Sequence, residues 1–140
     1  MFKNAYQQTI NAPVQSVWFA LTHSQEIESY MKNIKVISDW HQGASIEYTC
    51  YEQNGSIMEW EGMAMIWKGV IEVLDENKEF TCLYPDTETG LVKERYLLQV
   101  IDANTTNLIF EQYTITAEMG QKYKDGTQET LKLLKSFLEK

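Results

Sequence analysis

Four stretches of the sequence place chemically useful side chains two residues apart. They are Tyr48 and Cys50; Phe80, Cys82 and Tyr84; Glu94, Tyr96 and Leu98; and Phe110 and Gln112. Successive side chains of a β-strand point to opposite faces, so residues at this spacing share a face if each stretch is extended. Ile46, Val100 and Leu108 have the same parity. One face of a sheet built this way would carry phenols, thiols, an amide and a carboxyl among apolar neighbours. Buried phenols need a hydrogen-bond partner or a water. A carboxyl at Glu94 is costly to bury unless paired, so it stands either at the mouth of an apolar space or at the sheet's end in solvent.

Other residue types carry less. His23 and His41 fall in separate turns, with no carboxylates at ligand spacing, and a zinc site wants three or four protein ligands; no metal is expected. Cys50 and Cys82 lack a CxxC spacing and lie within strands. They read as buried, reduced small hydrophobes rather than nucleophiles or a disulfide. Arg95 and Glu111 have the opposite parity to the inward set and are expected to pair across adjacent strands on the outer face. The stretch 56–66, SIMEWEGMAMI, is rich in Met and Trp. It either lines an adaptable ligand site, completes the core, or exposes Met58, Trp60, Met63 and Met65 to a partner. Glycine-rich phosphate loops and paired catalytic carboxylates are absent, so no catalytic residue and no cofactor are assigned.

Length and charge narrow the class. The 140 residues suit one domain, 1–140, with a sizeable core. With 12 basic and 20 acidic residues the net charge is -8, which opposes nucleic acid and anionic membrane as partners. The apolar runs are too short to span a bilayer. The first ten residues hold no apolar signal core, so a cytoplasmic location is expected.

The elements that must position these residues follow from periodicity. Residues 126–140 read GTQETLKLLKSFLEK, with Thr130, Leu133, Leu134, Phe137 and Leu138 on one helical face and Leu131 widening it. Gly120 and Gly126 weaken an earlier start, although one near Glu118 is compatible. A helix with such a face needs a partner layer, and residues 34–115 alternate as strands. Strands are expected at 2–10, 33–39, 44–51, 56–66, 67–74, 79–84 (ended by Pro85), 91–101 and 108–115. Pro13 opens a short helix capped by Asn11 or Ala12, and Ser24 caps a second one.

The order strand, two short helices, strands and long helix resembles the helix-grip fold of the START/Bet v 1-like superfamily. Within it, the chain is similar to the family of the activator of Hsp90 ATPase homologue. The resemblance is carried by Ile10-Asn11-Ala12-Pro13 with Val17-Trp18 and Leu21-Thr22, then Ile27 and Tyr30-Met31. It continues through Gly43, Gly55, Gly69 with Ile71-Glu72-Val73, Phe80-Thr81 and Tyr84, and ends on Gly126 and Leu133 to Glu139. Thr127 departs from it, since a Trp is common there. The resemblance implies an α+β fold, with a curved antiparallel sheet wrapped around the C-terminal helix and a cavity between them. Tyr48, Cys50, Phe80, Cys82, Tyr84, Glu94, Tyr96, Leu98, Phe110, Gln112 and, from the helix, Leu134 are then the candidate lining. A small hydrophobic or aromatic molecule is the expected ligand. The resemblance leaves two alternatives open. One is a chaperone-interacting module that stimulates an ATPase, with a chaperone or a second copy as partner. The other is a cofactor-independent cyclase or hydrolase-like enzyme, with a Tyr or Glu94 acting on an enolisable ring.

Overall fold

The computed structural model describes residues 1–60 and 62–140. The chain runs β1 (Phe2–Ile10), α1 (Val14–Thr22), α2 (Ser24–Tyr30), β2 (Ile34–Ser38), β3 (Ser45–Cys50), β4 (Glu59–Trp60), β5 (Met63–Ala64), β6 (Ile66–Asp75), β7 (Glu79–Thr87), β8 (Gly90–Asp102), β9 (Thr105–Thr114) and α3 (Ala117–Leu138). Seven strands form one antiparallel sheet in the order β1-β9-β8-β7-β6-β3-β2. One face of it packs against all three helices, which meet one another at one end. This is the α+β helix-grip arrangement that the element order implies.

Burial follows the alternation. Ile46, Phe80, Cys82, Tyr84, Leu98, Leu108, Phe110 and Gln112 are buried, while Ile37 on the opposite parity is exposed. Arg95 lies on the outer face and bonds Glu111 at 3.4 Å and Glu79 at 3.1 Å. Val100 is exposed although it keeps the regular register opposite Thr106; residues 99–102, at the end of β8, are all exposed.

Several local expectations change. Pro13, not Asn11 or Ala12, is the α1 cap, and no side chain caps it. The Asn11 amide instead donates to Glu139 at 2.8 Å, tying the first strand's end to the last helix. Ser24 is the first residue of α2 rather than its cap, and its hydroxyl accepts a bond from the Trp40 indole at 3.1 Å. β7 passes through Pro85 instead of stopping there. Its pairing with β8 is irregular between Tyr84 and Thr87, and such an irregularity tolerates a residue without an amide proton. The stretch 56–66 is not one strand. Among the described residues β4 and β5 form a two-stranded sheet of their own, with Gly62 between them at φ +78; the alternation the sequence assigns to Glu61 lies outside the described residues. For α3 the sequence left two starts open, and the structure has the earlier one: the helix begins at Ala117, beside Glu118, and the Thr116 hydroxyl caps it through Met119 N. A favourable cap and packing at both ends outweigh the roughly 1 kcal/mol that each internal glycine costs.

Candidate functional site

The middle of α3 is what opens a space. Along its inward face, the buried Gly120 is followed by half-buried Tyr123, Thr127 and Thr130, and only then by buried Leu131 and Leu134. A Cβ built at Gly126 would meet nothing within 4 Å among the described residues. Leu131 and Leu134 thus clamp the C-terminal half of the helix to the core, and Gly120 sets its start close against Asn4 and Thr114, while the small residues Gly126, Thr127 and Thr130 between them leave space over the sheet unfilled. The result is a cavity of about 540 Å³, within the range of small-molecule sites. Lys122 and Gly126 are the exposed members of its lining, so it opens along the first half of α3, beside the β4–β5 hairpin.

The walls are aromatic. Tyr96 lies between Phe80, stacked at 5.9 Å, and Phe110 at 4.7 Å. Tyr84 meets Trp67 at 5.1 Å and Tyr48 at 6.3 Å. Gly69 allows this packing, because a Cβ there would fall 2.6 Å from the Tyr84 ring. At the opening, Tyr123 packs on Trp60 at 5.4 Å and Trp67 at 5.5 Å. Glu88 holds these rings, accepting from the Tyr123 hydroxyl at 2.8 Å and the Trp67 indole at 3.1 Å.

One end of the cavity is polar. Gln112 Nε2 donates to Glu94 Oε2 at 2.9 Å. The other amide atom, Gln112 Oε1, is buried without a hydrogen-bond partner among the described residues. Burial pushes the Glu94 carboxyl up to about 7, against the smaller opposing effect of the Gln112 bond. Burial also raises the phenols of Tyr48, Tyr84 and Tyr96 far above their ordinary range, with Glu94 adding to the effect. The Cys82 thiol is pushed up to about 12 and Cys50 is raised, both by burial first. Glu94, Tyr48 and Tyr96 are nevertheless not fully covered, because part of their surface faces the cavity. At neutral pH this end presents a carboxyl near its midpoint, neutral phenols and neutral thiols.

The structure brings Tyr48, Cys50, Phe80, Cys82, Tyr84, Glu94, Tyr96, Phe110 and Gln112 together in the lining. Two candidates lie elsewhere. Leu98 is buried in the solid part of the core, where α1 packs on β8. Leu134 is fully buried one turn beyond the cavity, and Leu131 takes its place in the lining. Of the Met- and Trp-rich stretch, Met58, Trp60 and Met65 line the cavity, while Met63 is half exposed. Sequence reasoning missed Trp67, Tyr123, Glu88 and Thr127, whose signal was available only for Thr127, a small residue on the apolar face of a helix. Both thiols are free, and His23 stacks on Phe19 at 3.7 Å, away from the lining.

A seven-stranded antiparallel sheet gripping a C-terminal helix over a cavity defines a helix-grip protein. The comparisons agree. The chain belongs to the family described as activator of Hsp90 ATPase homolog 1-like protein, whose family model matches residues 11–139. Among solved structures it is similar to ChR145 from Cytophaga hutchinsonii, with 25% identity, a TM-score of 0.75, and coverage of 99% of this chain and 94% of that one. It is also similar to CalU16 from Micromonospora echinospora, with 19% identity, a TM-score of 0.76, and coverage of 97% and 75%. A third is the Aha1 dimer from Colwellia psychrerythraea, with 18% identity, a TM-score of 0.72, and coverage of 99% and 97%. No curated protein matches the chain. Among the described residues no helix is long and apolar enough to cross a membrane.

Proposed function

We propose that this protein binds one small, largely apolar molecule between sheet and α3, with the Glu94–Gln112 end orienting its polar group. The observation that supports this is the cavity itself: about 540 Å³, walled by aromatic rings, with its polar pair at one end. Burial of apolar surface supplies most of the affinity, at about 25 cal/mol per Å² before ordering costs. The rings are held by one another and by Glu88, so little order is lost on binding. A ligand of this kind enters along the first half of α3, past Trp60 and Tyr123. Two free thiols in the lining fit a reducing, cytoplasmic setting.

Thr127→Phe tests the reading. It adds bulk on the inward face of α3, where the side chain lines the cavity. Trp60 and Trp67 in the lining report binding by fluorescence, titrated with a panel of naphthalene- and indole-sized compounds. The expected outcome is binding by wild type, loss of binding in the variant, and a stability change below about 1 kcal/mol. Overpacking a filled core would instead cost about 1–3 kcal/mol. A marked drop in melting temperature with no compound bound by wild type would refute the cavity. The chaperone-interacting role carried by the family's description would then be the reading to test.

A further inference from the structure

The polar end of the cavity has a definite chemical sense. Glu94 offers a carboxyl whose Oε2 accepts from Gln112 Nε2 at 2.9 Å. Gln112, 1% exposed, leaves its Oε1 without a partner among the described residues. Once Glu94 is ionised, both ligand-facing groups are acceptors: a carboxylate accepts only, and the orphan amide oxygen accepts only. The rings of Tyr48, Tyr84, Tyr96, Phe80 and Phe110 line the same cavity, and aromatic faces carry negative π density. An anionic ligand here would bring a second buried negative charge beside Glu94. A hydrocarbon would leave the amide oxygen unpaired, at a cost.

Resting on the ligand-binding reading above, we infer that the cavity selects an amphiphilic organic cation: a primary or secondary ammonium group on an aromatic or aliphatic body. The ammonium donates to Glu94 and to Gln112 Oε1, and the surrounding rings add cation–π attraction. The net charge of -8 draws cations toward the protein. The fit is between a cation with several N–H donors and a site with two acceptors in an aromatic cage.

Binding of this kind is linked to protons. The titratable groups facing Glu94 are Cys82 and Tyr84 from β7, Tyr48 from β3 and Tyr96 from β8, with Gln112 from β9 supplying the hydrogen bond and Tyr30 from α2 standing behind Tyr48 and Tyr96. All of these stay neutral below pH 8, their protonation constants being raised by burial. Toward the opening stand Glu88, and Lys122 and Tyr123 on α3, with Lys122 exposed. Glu94 is therefore the group that changes charge near neutrality, and an incoming ammonium drives its proton off.

Three molecules of one shape separate the cases: 2-naphthylmethylamine, 2-naphthylmethanol and 2-naphthoic acid, titrated calorimetrically into the whole protein. The amine is expected to bind at least about tenfold tighter than the alcohol at pH 7.5, with the acid weakest. Below pH 7 the amine's advantage should shrink by about tenfold per pH unit, as Glu94 holds its proton more firmly. At pH 6, buffers of different ionisation enthalpy should report about one proton released per amine bound, and none for the alcohol. Glu94→Gln, whose melting curve checks folding, should erase both the amine's advantage over the alcohol and the proton release. Binding of the alcohol or the acid at least as tightly as the amine, without proton release, overturns this inference and leaves the ligand-binding reading standing. Failure of all three to bind sinks both.

Discussion

Substituting Glu94 by glutamine should remove a pH dependence of stability that the fold has built in. In the native state burial raises the carboxyl from the ordinary 4.5 to about 7. Between those two values the unfolded chain has released the proton while the native protein still holds it. Stability therefore falls as pH rises through this window, since the unfolded state binds fewer protons. Each tenfold change in the protonation constant is worth about 1.4 kcal/mol, so the full loss is about 3 kcal/mol, complete slightly above pH 7. Glutamine keeps the shape and still accepts from Gln112 Nε2, but cannot ionise. Glu79, Glu111 and Glu139 work in the opposite sense. Arg95 holds Glu79 low. Glu111, though burial raises it, is held low by bonds to Tyr113 and Lys3. The Asn11 amide holds Glu139 low. Their stabilisation is present above the unfolded carboxyl range and lost as pH falls through their native values. They are common to both proteins and cancel in the difference. The assay is urea unfolding of wild type and Glu94→Gln, without ligand, at half-unit steps from pH 4.5 to 8.5. The variant should gain on wild type by about 3 kcal/mol across the window and hold that gain above it. Parallel curves would show that Glu94 is solvated like a surface carboxyl, and the polar end of the cavity would lose its argument.

Two further outcomes test the packing. Leu134→Ala removes a fully buried side chain and should cost about 2–5 kcal/mol in urea unfolding; a loss under about half a kcal/mol would show that α3 is not clamped there. Both thiols should label slowly in the native protein at pH 8, Cys82 more slowly than Cys50. Burial keeps each from its thiolate, and Cys82 is the deeper of the two. Rapid native labelling of Cys82, read against the denatured protein, would remove it from the interior.

What could be read along the chain was whatever depends on local period. Two-residue alternation assigned the inward faces of β3, β7, β8 and β9, and helical spacing assigned the face of α3, because backbone geometry alone fixes those directions. Thus Tyr48, Cys82, Tyr84, Tyr96, Phe110 and Gln112 were legible as neighbours before any coordinates. Boundaries were less so. Whether β7 ends at Pro85, or α3 begins at Gly126, turns on a register irregularity, a hydroxyl cap and packing at both ends, none of which is a local propensity. Where along an inward face space remains was not legible at all. Leu98 shares the parity of Tyr96 and Leu134 shares the face of Leu131, yet one of each pair packs solidly and the other lines the cavity. That difference is set by how far α3 stands from the sheet, through Gly126, Thr127 and Thr130. Glu94 shows the same division. Its parity placed it on the inner face, but periodicity could not say whether a carboxyl there meets water or Gln112. Only the β8–β9 register, which sets residue 94 opposite residue 112, decided that, because a hydrogen bond depends on the distance between chains and not on the order along one.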